Sequence, residues 1–169
     1  MKLIYTASQV REAEKPYIEA ADYDGYLMQR AADAVAAEAQ ELLHGKDKAK
    51  ILLLIGPGNN GADTIYAGAR LSAKGHSVDA VIFDSSEKNL ELIAREGGEG
   101  TRVLDPEHAL EQLAGYDLTI DGILGTGSSG AVRGSAGEYL GVLRAAQLDG
   151  KLGAVLAVDT PSGVDNNRG

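Results

Sequence analysis

Three glycine-rich stretches hold the residues whose types and spacing could do chemistry. The first, Gly56-Pro57-Gly58-Asn59-Asn60-Gly61-Ala62-Asp63, fits G-x-G-x-x-G, and an acid, Asp84, follows it. Taken literally this is a dinucleotide fingerprint: glycines admit a pyrophosphate, a helix N-terminus stabilises it, and an acid roughly twenty residues on takes the ribose. A bare glycine pattern is equally a tight turn. Asn59, Asn60 and Asp63 tilt the reading towards a ligand, because their oxygens crowd one short segment and can hold a cation or a hydroxyl. Their plainer role is as turn or cap residues.

The second stretch is Asp121-Gly122-Ile123-Leu124-Gly125-Thr126-Gly127-Ser128-Ser129-Gly130-Ala131-Val132-Arg133-Gly134. An Asp inside an apolar run is costly to bury unless it is paired, hydrogen-bonded or liganded. The glycines and hydroxyl residues after it offer unshielded backbone N–H groups suited to oxyanions, with Arg133 as a local cation. The third stretch, Val158-Asp159-Thr160-Pro161-Ser162-Gly163-Val164-Asp165, places Asp159 directly after an apolar run. Partial burial there would raise its pKa and fit it for proton transfer. Taken alone, this segment reads as an ordinary Asp-Pro-Ser-Gly turn.

The elements that must position these stretches can be read from pattern. Thr6 and Gln9 have capping-box spacing and predict a helix over 7–19. An alanine-rich helix over about 26–44 follows, stopped by Gly45. From Lys50 the chain alternates strand, turn and helix: a strand at 51–55, a helix over 61–74, a strand at 78–83, and a helix over 87–96 capped by Ser86. Then come a short strand at 101–104, a helix opened by Asp105-Pro106, a strand at 118–124, and a helix opened by a Ser135–Glu138 capping box. A strand at 154–158 closes the series. Alternating βα units with short loops predict a Rossmann-like, doubly wound α/β/α sandwich with a mainly parallel sheet and two extra N-terminal helices. If the strand order is 3-2-1-4-5, the three stretches meet outside the carboxyl ends of neighbouring strands, where such sheets bind ligands.

Composition narrows the classes. The 169 residues suggest a single domain, and their net charge of −9 argues against broad nucleic-acid binding. Zero Cys excludes disulfides, thiolate catalysis and cysteine-ligated metals. No run is long and apolar enough for a membrane span, and the first residues turn polar too soon for a signal peptide, so a cytoplasmic protein is expected. The 22 Gly are either turn punctuation or places where backbone must approach a ligand.

The combination G-P-G-N-N-G-A-D (56–63), D-G-I-L-G-T-G (121–127) and V-D-T-P-S-G-V-D (158–165) resembles the YjeF N-terminal domain family, as does the opening T-A-S-Q-V-R-E-A-E with Leu27-Met28. The resemblance covers essentially the whole chain. Enzymatic members of that family are NAD(P)H-hydrate epimerases, which interconvert the R and S forms of the hydrated cofactors NADHX and NADPHX. It implies substrate contacts from Asn59, Asn60, Gly61, Ala62 and Asp63. It implies that Gly125, Thr126, Gly127, Ser128, Ser129, Gly130 and Ala131 hold the phosphates. Asp159 would bind substrate and is the candidate catalytic acid or base. Asn60, Asp121 and Ser162 match positions that bind potassium in the family.

Two departures accompany the resemblance. Ala62 and Thr64 stand where the family motif usually has glycine, and Thr64 is expected to narrow the pocket entrance. The family domain usually continues with further strands, so the chain is expected to lack the last ones. The resemblance also implies an ADP- or ATP-dependent dehydratase, fused or separate, as partner. The N-terminal helices are expected to pack on the βα repeat or to form homodimer contacts. Two other functions compete. An NAD-dependent dehydrogenase would use Gly56, Gly58, Gly61 and Asp84 but leaves the second and third stretches without a role, and His44, His76 and His108 read as surface or satisfied residues. A non-catalytic binding or interaction module on the same fold would leave Asn60, Asp121, Asp159 and Ser162 without a shared purpose.

Overall fold

A computed structural model describes residues 5–83, 87–127 and 130–164. Its helices are α1 (Ala7–Ile18), α2 (Tyr26–Leu42), α3 (Asn59–Ala73), α4 (Glu87–Glu96), α5 (Pro106–Glu111) and α6 (Gly134–Leu148). Its strands are β1 (Lys50–Ile55), β2 (Ser77–Ile82), β3 (Thr101–Val103), β4 (Leu118–Gly122) and β5 (Ala154–Ala157). The strands form one parallel sheet, as the βα alternation predicts, in the order β3-β2-β1-β4-β5, the order under which the three stretches meet.

The continuous apolar run of β1 is explained by burial on both faces. Ile51, Leu53 and Ile55 pack with Ala36, Ala39, Ile65 and Leu71 of α2 and α3, and with Leu92 and Ile93 of α4. Leu52 and Leu54 face the other way, towards Ala109, Leu113, Tyr139 and Leu143. Two cores on opposite faces of one sheet make the three-layer, doubly wound architecture. A buried polar cluster sits within it. Asp79 of β2 is fully buried and accepts two hydrogen bonds from the Arg102 guanidinium at 2.8 and 2.9 Å and one from the Tyr116 hydroxyl at 2.8 Å. Burial, then the contact with Asp79, pushes the Tyr116 hydroxyl well above its ordinary range.

Local chemistry accounts for most element boundaries. Thr6 and Gln9 cap α1 reciprocally: the Thr6 N–H donates to Gln9 Oε1 at 2.9 Å, and the Gln9 N–H donates to Thr6 Oγ1 at 3.3 Å. Most boundaries lie within two residues of expectation, and three of the differences shape the site. Helix α3 begins at Asn59, because the extended backbone of Gly58 turns the chain into the helix directly. Helix α6 begins at Gly134, whose φ of +63° lets the extended Arg133 serve as N-cap. Ser135 then lies inside the helix and no side-chain cap forms, so the expected Ser135–Glu138 box is absent. Strand β4 stops at Gly122 rather than 124, since the next amides turn to side chains instead of the ladder. The Ser86 cap and the ribose acid Asp84 lie outside the described residues. Among the described residues, no helix is long and apolar enough to cross a membrane.

Candidate active site at the carboxyl edge of the sheet

Parallel pairing brings the carboxyl ends of β1, β4 and β5 to one edge, with Ile55 opposite Gly122 and Asp121 opposite Ala157. The three predicted segments meet there. Asn60, in the first turn of α3, donates its amide N–H groups to Leu124 O at 3.3 Å and Val158 O at 2.8 Å. One side chain therefore ties the segments after β4 and β5 to the helix after β1.

Asp121 is buried at 6% exposure, yet its carboxylate is satisfied. It accepts the Ile123 N–H at 3.2 Å, the Ser162 N–H at 2.9 Å and the Ser162 hydroxyl at 2.7 Å. The Ser162 Oγ in turn accepts the Leu124 N–H at 2.9 Å. Asn60, Asp121 and Ser162 thus belong to one network that includes the carbonyls of Leu124 and Val158. Its acceptors are all hard oxygens and include a single carboxylate, a donor set that fits a potassium ion.

Asp159 has a left-handed backbone, φ +69°, which Asp tolerates better than most residues. Its Oδ2 accepts the Thr126 N–H at 2.8 Å, fastening the turn after β5 to the glycine-rich loop. The expected partial burial of Asp159 is not found: the side chain stands in solvent, because the left-handed residue swings off the end of the sheet. The carboxyl shifted towards its acid form is that of the half-buried Asp63. It lies one helical turn after Asn60, and its Oδ1 is buried with no hydrogen-bond partner among the described residues. Burial first, then the charges of Asp159 and Glu14, push it up to about 6.

Steric space sorts the glycines. A Cβ on Gly56 would fall on Ile123 O, one on Gly61 on Gly56 O, and one on Gly122 on the Thr64 hydroxyl. These residues let β1, β4 and α3 close together and leave no room for a ligand. A Cβ on Gly125 would come within 2.6 Å of the Asn60 amide. Among the described residues, Gly58, Gly130 and Gly134 face open space, and a Cβ on Gly127 would lie 3.6 Å from Arg11 Nη1. These are the glycines of the first two stretches available for close approach of a ligand.

The other predicted residues divide between surface and core. Asn59, Gly127, Gly130 and Ala131 are exposed, and Gly125 and Thr126 are half-buried. Ser128 and Ser129 lie outside the described residues. Gly61 and Ala62 turn inward, with Ala62 in the core, so their side-chain faces are not presented to the crevice. Thr64 does not narrow the entrance. The early start of α3 puts it four residues after Asn60 on the inner face, fully buried, donating to Asn60 O at 2.7 Å. Arg133 is an exposed helix cap with no side-chain capping bond.

Sequence reasoning missed two residues, Arg11 and Glu14. They sit three apart in α1 and bring a cation near Gly127 and an anion near Asp63. Their spacing marks one helical face, but no residue pattern says that α1 approaches the sheet edge. Two surface cavities, of about 190 and 310 Å³, lie elsewhere and include none of the predicted site residues.

Comparisons with known proteins place this arrangement. A family model described as YjeF-related protein N-terminus matches residues 25–169. The bifunctional NAD(P)H-hydrate repair enzyme Nnr of Corynebacterium glutamicum is 34% identical over 100% of this chain and 29% of its own length. The NAD(P)H-hydrate epimerase of Microbacterium testaceum is 35% identical over 98% of this chain and 62% of its own. The chain therefore spans less than two thirds of either relative. The crystal structure of yeast ynu0, YNL200c, superposes with a TM-score of 0.80 at 21% identity, covering 99% of this chain and 74% of that one. That likeness supports the fold alone.

Proposed function

The chain belongs to the YjeF-related protein N-terminus family, and on that premise we propose that it interconverts the R and S hydrates of NADH and NADPH at the carboxyl edge of its sheet. The observation that carries the reading is the fastening of three loops by Asn60, Asp121 and Ser162 beside two carboxyls, Asp63 and Asp159. A dehydrogenase needs none of that network. The names of the Corynebacterium and Microbacterium relatives support the same chemistry.

The hydrate carries a hydroxyl on C6 of the nicotinamide ring, and epimerisation moves it from one face to the other. The glycine-rich segment after β4 would take the diphosphate on its backbone N–H groups, with Arg11 near Gly127 as a local cation. That assignment answers how a chain of net charge −9 holds an anionic ligand. Asn60, Asp121 and Ser162 would hold potassium, whose charge when bound offsets Asp121 and favours nearby phosphate. Asp159, exposed and oriented by the Thr126 N–H, would exchange a proton with the C6 hydroxyl. An ADP- or ATP-dependent dehydratase, fused or separate, and a cytoplasmic setting complete the reading; the bifunctional name of one relative supports the fused form.

The test is chromatographic. A single purified NADHX epimer is incubated with the chain in potassium or in sodium. Appearance of the other epimer faster than the spontaneous reaction, and faster in potassium, is expected. A folded protein that gives no acceleration contradicts the reading.

A further inference from the structure

Asp63 is a half-buried acid whose Oδ1 is shut off from water. That oxygen meets no donor among the described residues, while the buried Asp121 carboxylate is supplied with three. The groups facing it do not help it ionise. Asp159 approaches from the turn after β5 and Glu14 from α1, both acidic, and Arg11 of α1 lies instead towards Gly127. Burial and these two charges push its pKa up to about 6. Its place at the sheet edge is fixed by Asn60, three residues earlier on the same helical face, whose amide holds the carbonyl of Val158, the residue before Asp159. Asp63 and Asp159 therefore lie near enough for the charge of one to act on the other.

We propose that Asp63 is a second catalytic residue, the acid of a two-carboxyl pair in which Asp63 and Asp159 share one proton across the hydrated nicotinamide. This assignment rests on the epimerase reading. In one direction the Asp63 carboxylic acid gives its proton to the C6 hydroxyl, and the C6–O bond breaks to release water. The ring nitrogen lone pair closes the N1=C6 bond of the resulting cation. Water then attacks C6 from the opposite face, the N1=C6 pair returns to nitrogen, and the attacking water loses a proton to the Asp159 carboxylate. Atoms and charge balance, with the pair's proton moved from Asp63 to Asp159. The reverse reaction runs from that second form, so each direction uses one protonation state of the pair. A ligand seated over the pair removes further water from Asp63 and favours its acid form.

The test compares wild type with Asp63→Asn and Asp159→Asn, which keep shape while removing ionisation. Epimerisation of a purified NADHX epimer is followed across pH, with ¹³C NMR titration of the aspartate carboxyl carbons in the free protein. Asp63→Asn is expected to lower kcat by about 10²-fold or more with little change in KM. Wild-type kcat should fall as pH rises above the Asp63 midpoint, and that limb should vanish in the variant. The Asp63 carboxyl should titrate near pH 6 and move lower in Asp159→Asn. An active wild type with undiminished Asp63→Asn overturns the acid assignment and leaves the epimerase reading standing. An inactive wild type overturns the epimerase reading, and the assignment with it. An Asp63 midpoint in the ordinary carboxylate range, or one unmoved by Asp159→Asn, overturns the shared proton whatever the activity.

Discussion

Asp63→Asn should make the protein more stable at neutral pH. The native state holds the Asp63 proton up to about pH 6, against an ordinary value of 3.8. Between those limits the folded chain binds more protons than the unfolded one, so wild-type stability falls as pH rises through the window. At full weight the change corresponds to roughly 3 kcal/mol. Asp63 is partly exposed, and screening reduces the figure to about 1–2 kcal/mol. Asn carries no charge at any of these pH values and avoids the cost. Urea unfolding of both proteins at pH 4, 5, 6, 7 and 8 measures the difference directly. The two should be close at pH 4, and the variant should gain about 1–2 kcal/mol by pH 7, or roughly 2–8 °C in Tm. The difference isolates Asp63, because other titrating groups are common to both. A gap that stays constant with pH, or that widens towards acid, refutes the account of Asp63 as a buried acid ionised against two like charges. Stability gained where catalysis is lost is also the expected pattern for a functional group strained by its surroundings.

Other perturbations separate packing from binding. Gly61→Ala should destabilise the fold by about 2 kcal/mol or more in urea melts, because the new Cβ meets the backbone of Gly56. Gly58→Ala, which faces open space at negative φ, should stay within about 0.5 kcal/mol while weakening ligand affinity. Asn60→Ala removes both amide hydrogen bonds and leaves the Leu124 and Val158 carbonyls to find other donors; a loss of about 1–3 kcal/mol is expected, and exposed Asn59→Ala should be silent in the same melt. His76 should act with the opposite sign to Asp63. Burial and then Lys74 lower its pKa, and its Nδ1 accepts the Ala49 N–H at 3.1 Å. Stability should therefore fall as pH drops below 6.5, a loss that His76→Gln should reduce when melts at pH 5 and 7.5 are compared.

Much of this molecule can be read from its residues where local pattern and tertiary environment agree. Thr6 with Gln9 and Ser135 with Glu138 present the same capping pattern, yet only the first forms. The second loses to Gly134, whose left-handed backbone starts α6 two residues early. The meeting of the three loops follows from strand order, which right-handed βα crossovers narrow to a few choices without fixing one. Asp121 stands out in sequence because a charge interrupts an apolar strand. Asp79 interrupts another, but its partners Arg102 and Tyr116 come from separate elements that no spacing links to it.

The site acids were legible as types but not as environments. Asp159 directly follows an apolar strand, and burial was the natural expectation; a left-handed backbone at that residue reverses it. Asp63 reads as one polar residue among several in a turn. Its raised pKa depends on partial burial and on the charges of Asp159 and Glu14 arriving from other elements, all tertiary outcomes. The glycines divide on the same ground. Gly56, Gly61 and Gly122 serve close packing, while Gly58, Gly127 and Gly130 stay open, and the residue name alone does not distinguish them.

The most direct measurement is exchange NMR at the reacting carbon. An equilibrium mixture of R and S NADPHX gives separate C6–H signals, and saturation of one is transferred to the other only if the centre is opened and reclosed. Wild-type protein in potassium should transfer saturation well above the protein-free rate, and Asp159→Asn should return it towards that rate. Wild-type transfer equal to the protein-free control, in a folded protein that binds the hydrate, would contradict the assignment of this sheet edge as an epimerase site.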